Sequence, residues 1–197
     1  VITSIYYFNT RYIIKKHVLD ELTALADAKK QHIISCIEAK KERTRDFSSD
    51  GLIRKRLEII LREGTLPGET VTALNGYLLK NKKALDPSLL GIAITDTGGT
   101  IIASTHERFV GVNIAGCATT SPDSCQKTDI AYVSVSPAHY NSYLDNNCIS
   151  MSAPIFSVTK QDKIMGAIVN CYALDVLNAI TSDRTKLGNT GEIYLVN

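Results

Sequence analysis

Four histidines and five cysteines hold most of the metal-binding, nucleophilic and redox chemistry of this 197-residue chain. His17 and His32 fall in one helical segment but too far apart to share a turn. His106 and His139 fall in loop regions, with no second histidine or paired carboxylates at metal-ligand spacing. No His-Glu-x-x-His, Gly-x-Ser-x-Gly or phosphate-cradling glycine loop is present. Gly98-Gly99 reads as a turn, since no helix follows it. The chain is therefore expected to be no enzyme, with no catalytic residue, metal site or cofactor.

Cys117 and Cys125 close the polar loop Cys-Ala-Thr-Thr-Ser-Pro-Asp-Ser-Cys. Such a loop has little core to hold it, and a disulfide there would restrict the unfolded chain by about 2–3 kcal/mol. A bond between them is expected and fits an oxidising exterior. Free thiols in a reducing compartment, or half of a metal site, are the alternatives, although the spacing matches no zinc pattern. Cys36, on a helix, and Cys148 and Cys171, on strands, read as small buried hydrophobes.

The elements that carry these residues change character near Pro87. From Thr10 to Phe47 the chain has no Pro or Gly, and Val18, Leu22, Leu25, Ile33, Cys36 and Ile37 recur at helical spacing. A helix of that length is on the order of 55 Å long, which suits a stalk or spine. Ser48-Ser49-Asp50-Gly51 is a break and cap, followed by an amphipathic helix to Gly64. A third helix opens at Pro67-Gly68-Glu69 and stops before Asp86-Pro87. Beyond it the period becomes that of strands: Leu89–Thr95, Thr100–Ser104, Ile130–Val135, Cys148–Phe156 and Ile164–Leu174. Asp96-Thr97-Gly98-Gly99 is a hairpin turn between the first two. A long irregular stretch runs from His106 to Thr128, and Leu174–Ser182 reads as a short helix. Five antiparallel strands preceded by long helices define an α+β fold.

Composition excludes several function classes. A net charge of +2 with no basic stripe argues against nucleic-acid binding. No run approaches the roughly 18 apolar residues of a membrane span, and no signal peptide is evident. The opening Val1-Ile2-Thr3-Ser4-Ile5-Tyr6-Tyr7-Phe8 has the aromatic character of a membrane–water boundary. It reads as the stretch just after a transmembrane helix.

The order of elements and several local runs resemble the double Cache sensor domains. These are PAS-like extracytoplasmic modules of prokaryotic histidine kinases and chemoreceptors. Leu22-Thr23-Ala24-Leu25-Ala26 through Ser49-Asp50-Gly51-Leu52-Ile53 resembles the family's spine helix and the start of its second helix. Gly91-Ile92-Ala93-Ile94-Thr95-Asp96-Thr97-Gly98-Gly99-Thr100-Ile101-Ile102 resembles its first hairpin, and Val110-Gly111-Val112-Asn113-Ile114 the segment after it. Ile149-Ser150-Met151-Ser152-Ala153-Pro154-Ile155 with Gly166-Ala167-Ile168-Val169 resembles its last hairpin. The final Leu187-Gly188-Asn189-Thr190-Gly191-Glu192-Ile193-Tyr194-Leu195-Val196 resembles the hinge between its two modules.

The resemblance implies a spine over 1–50, a membrane-distal module over 51–182 and a hinge over 183–197. It implies a small-molecule sensor on the extracytoplasmic side of a cell membrane, anchored there by its parent chain and dimeric through the spine helix. A histidine kinase is the expected parent, with a chemoreceptor or a ligand-free structural ectodomain as alternatives. By position, the family's ligand sits between the sheet and the loop crossing it. That selects Tyr132, Tyr140 and Tyr143 as aromatic walls, Ser134, Asn141 and Ser152 as neutral hydrogen-bonding groups, and Cys171 on the inward face of the last strand. The same tyrosines also fit an ordinary half-buried rim. Members that bind amino acids carry an Arg-x-Trp-Tyr run and a last-strand Asp. Here those regions hold Lys127-Thr128-Asp129-Ile130 and Cys171, so an α-amino-acid ligand is not implied.

Overall fold

The computed structural model describes residues 2–64, 68–114, 133–142, 144–160 and 162–184, with side chains from Tyr6 onward. Cys117, Cys125 and the 187–197 hinge lie outside the described residues. The chain divides into two compact units, 1–38 with 176–197 and 39–175.

Helix α1 (Ile2–Ser49) runs uninterrupted because nothing in it breaks the backbone pattern. It ends at Asp50, whose extended ψ of 122° turns the chain. The Asp50 carboxylate then accepts from the N–H groups of Leu52 and Ile53 at 2.8 and 3.1 Å, capping α2 (Gly51–Glu63). Gly64 closes α2 at φ 67°, the left-handed conformation that suits glycine. Helix α3 (Glu69–Tyr77) continues into a wider turn over Leu78–Lys82 and a tighter one over Lys83–Leu85. No described helix is long and apolar enough to cross a membrane.

In the first unit, α4 (Asp175–Ser182) is tied to α1 by one lysine. The Lys29 ammonium donates to the backbone oxygens of Ile180 and Asp183 at 3.0 and 2.8 Å, and to the Asp183 carboxylate at 2.8 Å. A cation there satisfies carbonyls that a helix end leaves open and meets the negative end of the helix dipole.

The second unit is a helix-backed antiparallel sheet. Its strands are β1 (Leu89–Asp96), β2 (Ile101–Ser104), β3 (Ser134–Val135), β4 (His139–Asn141), β5 (Asn146–Phe156) and β6 (Ile164–Ala173). The order is β2-β1-β6-β5-β3, with β4 also pairing β5. The sheet has six strands rather than the expected five. The addition is β4, which pairs Asn146–Cys148 across a tight turn containing Asp145 at φ 50°. A three-residue polar strand carries no alternation to announce it. Of the expected Ile130–Val135 strand, Ser134–Val135 is β3, and 130–132 lie outside the described residues.

One face of the sheet is the core. Ile92, Ile94, Met151, Ile155, Ile168 and Tyr172 are fully buried with Ile53, Leu57, Leu74 and Leu78 of the helices. Polar anchors fix the helices to the sheet. Thr44 Oγ1 lies 3.2 Å from the Tyr172 hydroxyl and accepts from Asn170 Nδ2 at 3.0 Å. Arg43 pairs Asp86 at 2.5 Å, and Lys40 lies 3.7 Å from the same carboxylate. Lys82 pairs Asp50 at 2.6 Å, tying the α2 cap to the turn after α3.

Strands β1 and β6 approach so closely that Gly166 has no room for a side chain. A Cβ there would stand 1.8 Å from the Thr95 carbonyl oxygen. Glycine is what permits the Asp96–Gly166 register.

Candidate functional site

The opposite face of the sheet carries a cavity. Registered partners share a face, so the pairings Ala93–Val169, Gly91–Cys171 and Ser150–Cys171 set those five residues side by side as its floor. The segment after β2 supplies one wall through His106, Phe109, Val112 and Ile114. The β4–β5 hairpin supplies the other through His139, Asn141 and Leu144. The empty space is about 660 Å³, its open mouth included. Gly91 keeps the floor low: a Cβ there would touch the His106 ring at 3.3 Å and Leu144 at 3.4 Å.

The described lining carries no Asp, Glu, Lys or Arg. Its polar groups are Ser, Asn, Cys and His side chains set among Ile, Val, Phe and Leu. Burial, with the positive charges of Lys83 and Arg108, holds His106 below the ordinary imidazole value, so the ring is uncharged at neutral pH. His106 Nδ1 lies 3.2 Å from Thr105 Oγ1, and its ring stacks at a tilt on Phe109 at 5.6 Å.

A second polar group gathers where β4, β5 and β6 meet. His139 Nδ1 donates to the Pro137 carbonyl oxygen at 3.0 Å, which turns Nε2 toward β5. That Nε2 lies 3.7 Å from Cys148 Sγ and 3.5 Å from Ser150 Oγ. Ser150 Oγ is in turn 3.5 Å from Cys171 Sγ, and Asn141 Nδ2 donates to the same sulfur at 3.8 Å. The Cys148 pKa is brought down to about 6. Hydrogen bonding with the Cys171 thiol is the main cause and outweighs burial, with His139, Ser150 and Asn141 adding to it. Cys36, Cys148 and Cys171 are not joined in disulfides. Among the described residues no His, Cys, Asp and Glu group of three or more is arranged to hold a metal ion.

The residues expected from sequence scatter around this cavity. Asn141 and Cys171 line it. Ser152, in register with Val169, and Ser134, in register with Ser152, share its face of the sheet further along and are not among the lining residues. The Tyr140 ring is exposed at the far side of β4, its hydroxyl bonded to the Asp145 carboxylate. Tyr132, Tyr143 and Lys127 lie outside the described residues. Sequence reasoning passed over His106, His139, Ser150 and Phe109 as lining residues, and treated Cys148 as inert filling. Only the pairing of β5 with β6 and β4 brings the last group together, and no local motif encodes that pairing.

Solved structures share the fold. The sensor domain of the Vibrio cholerae histidine kinase DctB superposes with a TM-score of 0.66 at 18% identity, over 86% of this chain and 61% of that one. The sensory domain of the Campylobacter jejuni chemoreceptor Tlp3, with isoleucine bound, gives 0.62 at 16%, over 85% and 64%. The ligand-binding domain of the Pseudomonas fluorescens chemoreceptor CtaA, in complex with L-serine, gives 0.55 at 12%, over 87% and 66%. The chain thus spans just under two thirds of these domains. No protein-family model and no curated protein matches the sequence.

Proposed function

We propose that this chain is the extracytoplasmic small-molecule-sensing part of a membrane-anchored receptor, a histidine kinase or a chemoreceptor, and has no catalytic role of its own. The observation that carries this reading is the cavity, walled on one side by the segment after β2, in a fold shared with receptor sensor domains. The domain assignment follows: a spine over 1–50, a sensing module over 51–182, and a hinge over 183–197 that passes the signal on. Ligand closing the cavity would shift β6 and the helix that follows it. The shift is bounded by the ligand's differential affinity for the closed state, typically about 1–3 kcal/mol.

Two of the similar receptors bind isoleucine and L-serine. An α-amino acid presents two charges, and the described lining offers neither counter-charge. A ligand held by these residues is instead a small neutral molecule with an apolar body and one or two hydrogen-bonding groups. Thermal-shift screening of neutral metabolites, organic acids, amines and amino acids tests this. A ligand at a hundred times its Kd should stabilise the protein by about 2.7 kcal/mol. Val169→Phe, which fills the floor, should abolish the shift, and Asn141→Ala should reduce it. Equal stabilisation of all three proteins would place the site elsewhere. A comprehensive screen without a hit would favour a structural ectodomain.

A further inference from the structure

One side chain behind the cavity floor is of a type that stability alone would not select. Side chains alternate along a strand, so β6 turns Val169 and Cys171 to the cavity and Asn170 and Tyr172 to the helices. Asn170 is 0% exposed, level with Ile92 of β1 on one side and Met151 of β5 on the other. Its Nδ2 donates to Thr44 Oγ1 of α1 at 3.0 Å and to the Tyr172 hydroxyl at 3.3 Å. Its Oδ1 is buried and has no hydrogen-bond partner. A buried carbonyl oxygen without a donor lowers stability, and an apolar side chain of similar shape carries no such cost. The neighbouring hydroxyls do not need the amide either. Thr44 Oγ1 donates to the Lys40 carbonyl at 2.9 Å, and the Tyr172 hydroxyl has Thr44 Oγ1 at 3.2 Å and the same carbonyl at 3.4 Å. Both stay bonded when the Asn170 amide is taken away.

We infer that Asn170 is a positioning residue that couples the cavity floor to the spine helix. Directional hydrogen bonds fix where two elements stand against each other, whereas apolar contacts leave them free to slide. The Asn170 backbone lies between the two floor residues of β6, and its amide holds the Lys40–Thr44 turn of α1. A molecule pressing on Val169 and Cys171 displaces that backbone, and the amide carries the displacement to Thr44. Tyr172 reaches the same turn by longer bonds and from one residue further along the strand, so it is the lesser link. Both ends of the coupling lie within the unit of residues 39–175. Occupancy of the cavity thus reaches α1 directly, without passing through α4 and the hinge. This inference rests on the sensing reading for what fills the cavity. The coupling itself requires only that the floor be pushed.

The test uses a filled floor in place of a ligand, in the whole chain. Val169→Phe should change the native-state hydrogen exchange of the α1 amides over 40–48 by about threefold or more. In the Asn170→Leu background the same substitution should still alter exchange in β5 and β6 but lose more than half of its effect on α1. Asn170→Leu alone should unfold in urea at or above the wild-type midpoint, because it removes an unpartnered oxygen. An amide with a purely structural role would lower that midpoint. Val169→Met, a smaller filling, serves the same cycle if Val169→Phe fails to fold. The inference is overturned by an α1 response of equal size in both backgrounds, by none in the background that keeps Asn170, or by a midpoint well below wild type in Asn170→Leu. A positive cycle in a protein that no screened molecule stabilises would uphold the coupling and remove the sensing reading. Ligand stabilisation with α1 exchange unmoved would do the reverse.

Discussion

Asp86 shows how much a single side chain does away from the cavity. It is buried where the turn after α3 meets the end of α1, held by Arg43 at 2.5 Å and by the Ser88 hydroxyl and N–H at 2.6 and 2.9 Å. Burial alone would raise its pKa. The Ser88 hydrogen bonds, with Lys40 and Arg43, reverse that and hold the carboxyl below its ordinary value. A depressed folded value means that the carboxylate's contribution is complete above the unfolded pKa, near pH 4, and is lost as pH falls through the folded value. Asp86→Ala leaves two cations facing an empty acceptor and should cost about 3 kcal/mol in urea unfolding at pH 7. The variant should also lose less stability than the wild type on going from pH 5 to pH 3. None of this was legible in Asp86-Pro87, which reads only as a helix stop. The cavity residues were legible in part. Asn141 and Cys171 are reachable from a family's positions, whereas His139 joins them only through a strand too short to show alternation.

At the scale of elements, sequence period served well and register did not. The change from helical to strand period near Pro87, the Asp-Thr-Gly-Gly turn and the Asp50 cap all lie within a few residues of the chain, and the helices and main strands follow from them. Which strands adjoin is a long-range matter. Gly166 illustrates this: in sequence it is one glycine in an apolar run, and in the sheet it is the point where β6 meets the Thr95 carbonyl. Gly166→Ala puts a methyl group against backbone that cannot swing aside. It should destabilise by about 3 kcal/mol or more, read as a lowered urea midpoint. Ala167→Gly, one position along the same strand, should cost only about 1 kcal/mol. Equal losses from the two would show that strand propensity rather than close approach is at issue.

At the scale of the whole molecule, the first stretch of α1 has apolar residues to spare. Ile14, Val18 and Leu22 recur at i+4 spacing and are 59%, 47% and 44% exposed. A dimer through the spine helix, as the family resemblance implies, would cover such a stripe. Sedimentation should show a concentration-dependent dimer in the wild type and a monomer in Val18→Glu, with unchanged circular dichroism. The order of strands bears on how the chain is made. Strand β6 sits between β1 and β5, yet among the described strands it is the last to leave the ribosome. Until residue 173 has emerged, the β1–β2 hairpin and β5 each present a bare edge, and neither core face can close. Nascent chains arrested before that point should therefore be protease-sensitive throughout and depend on chaperones. Those released a few tens of residues later should acquire the whole sheet in one step.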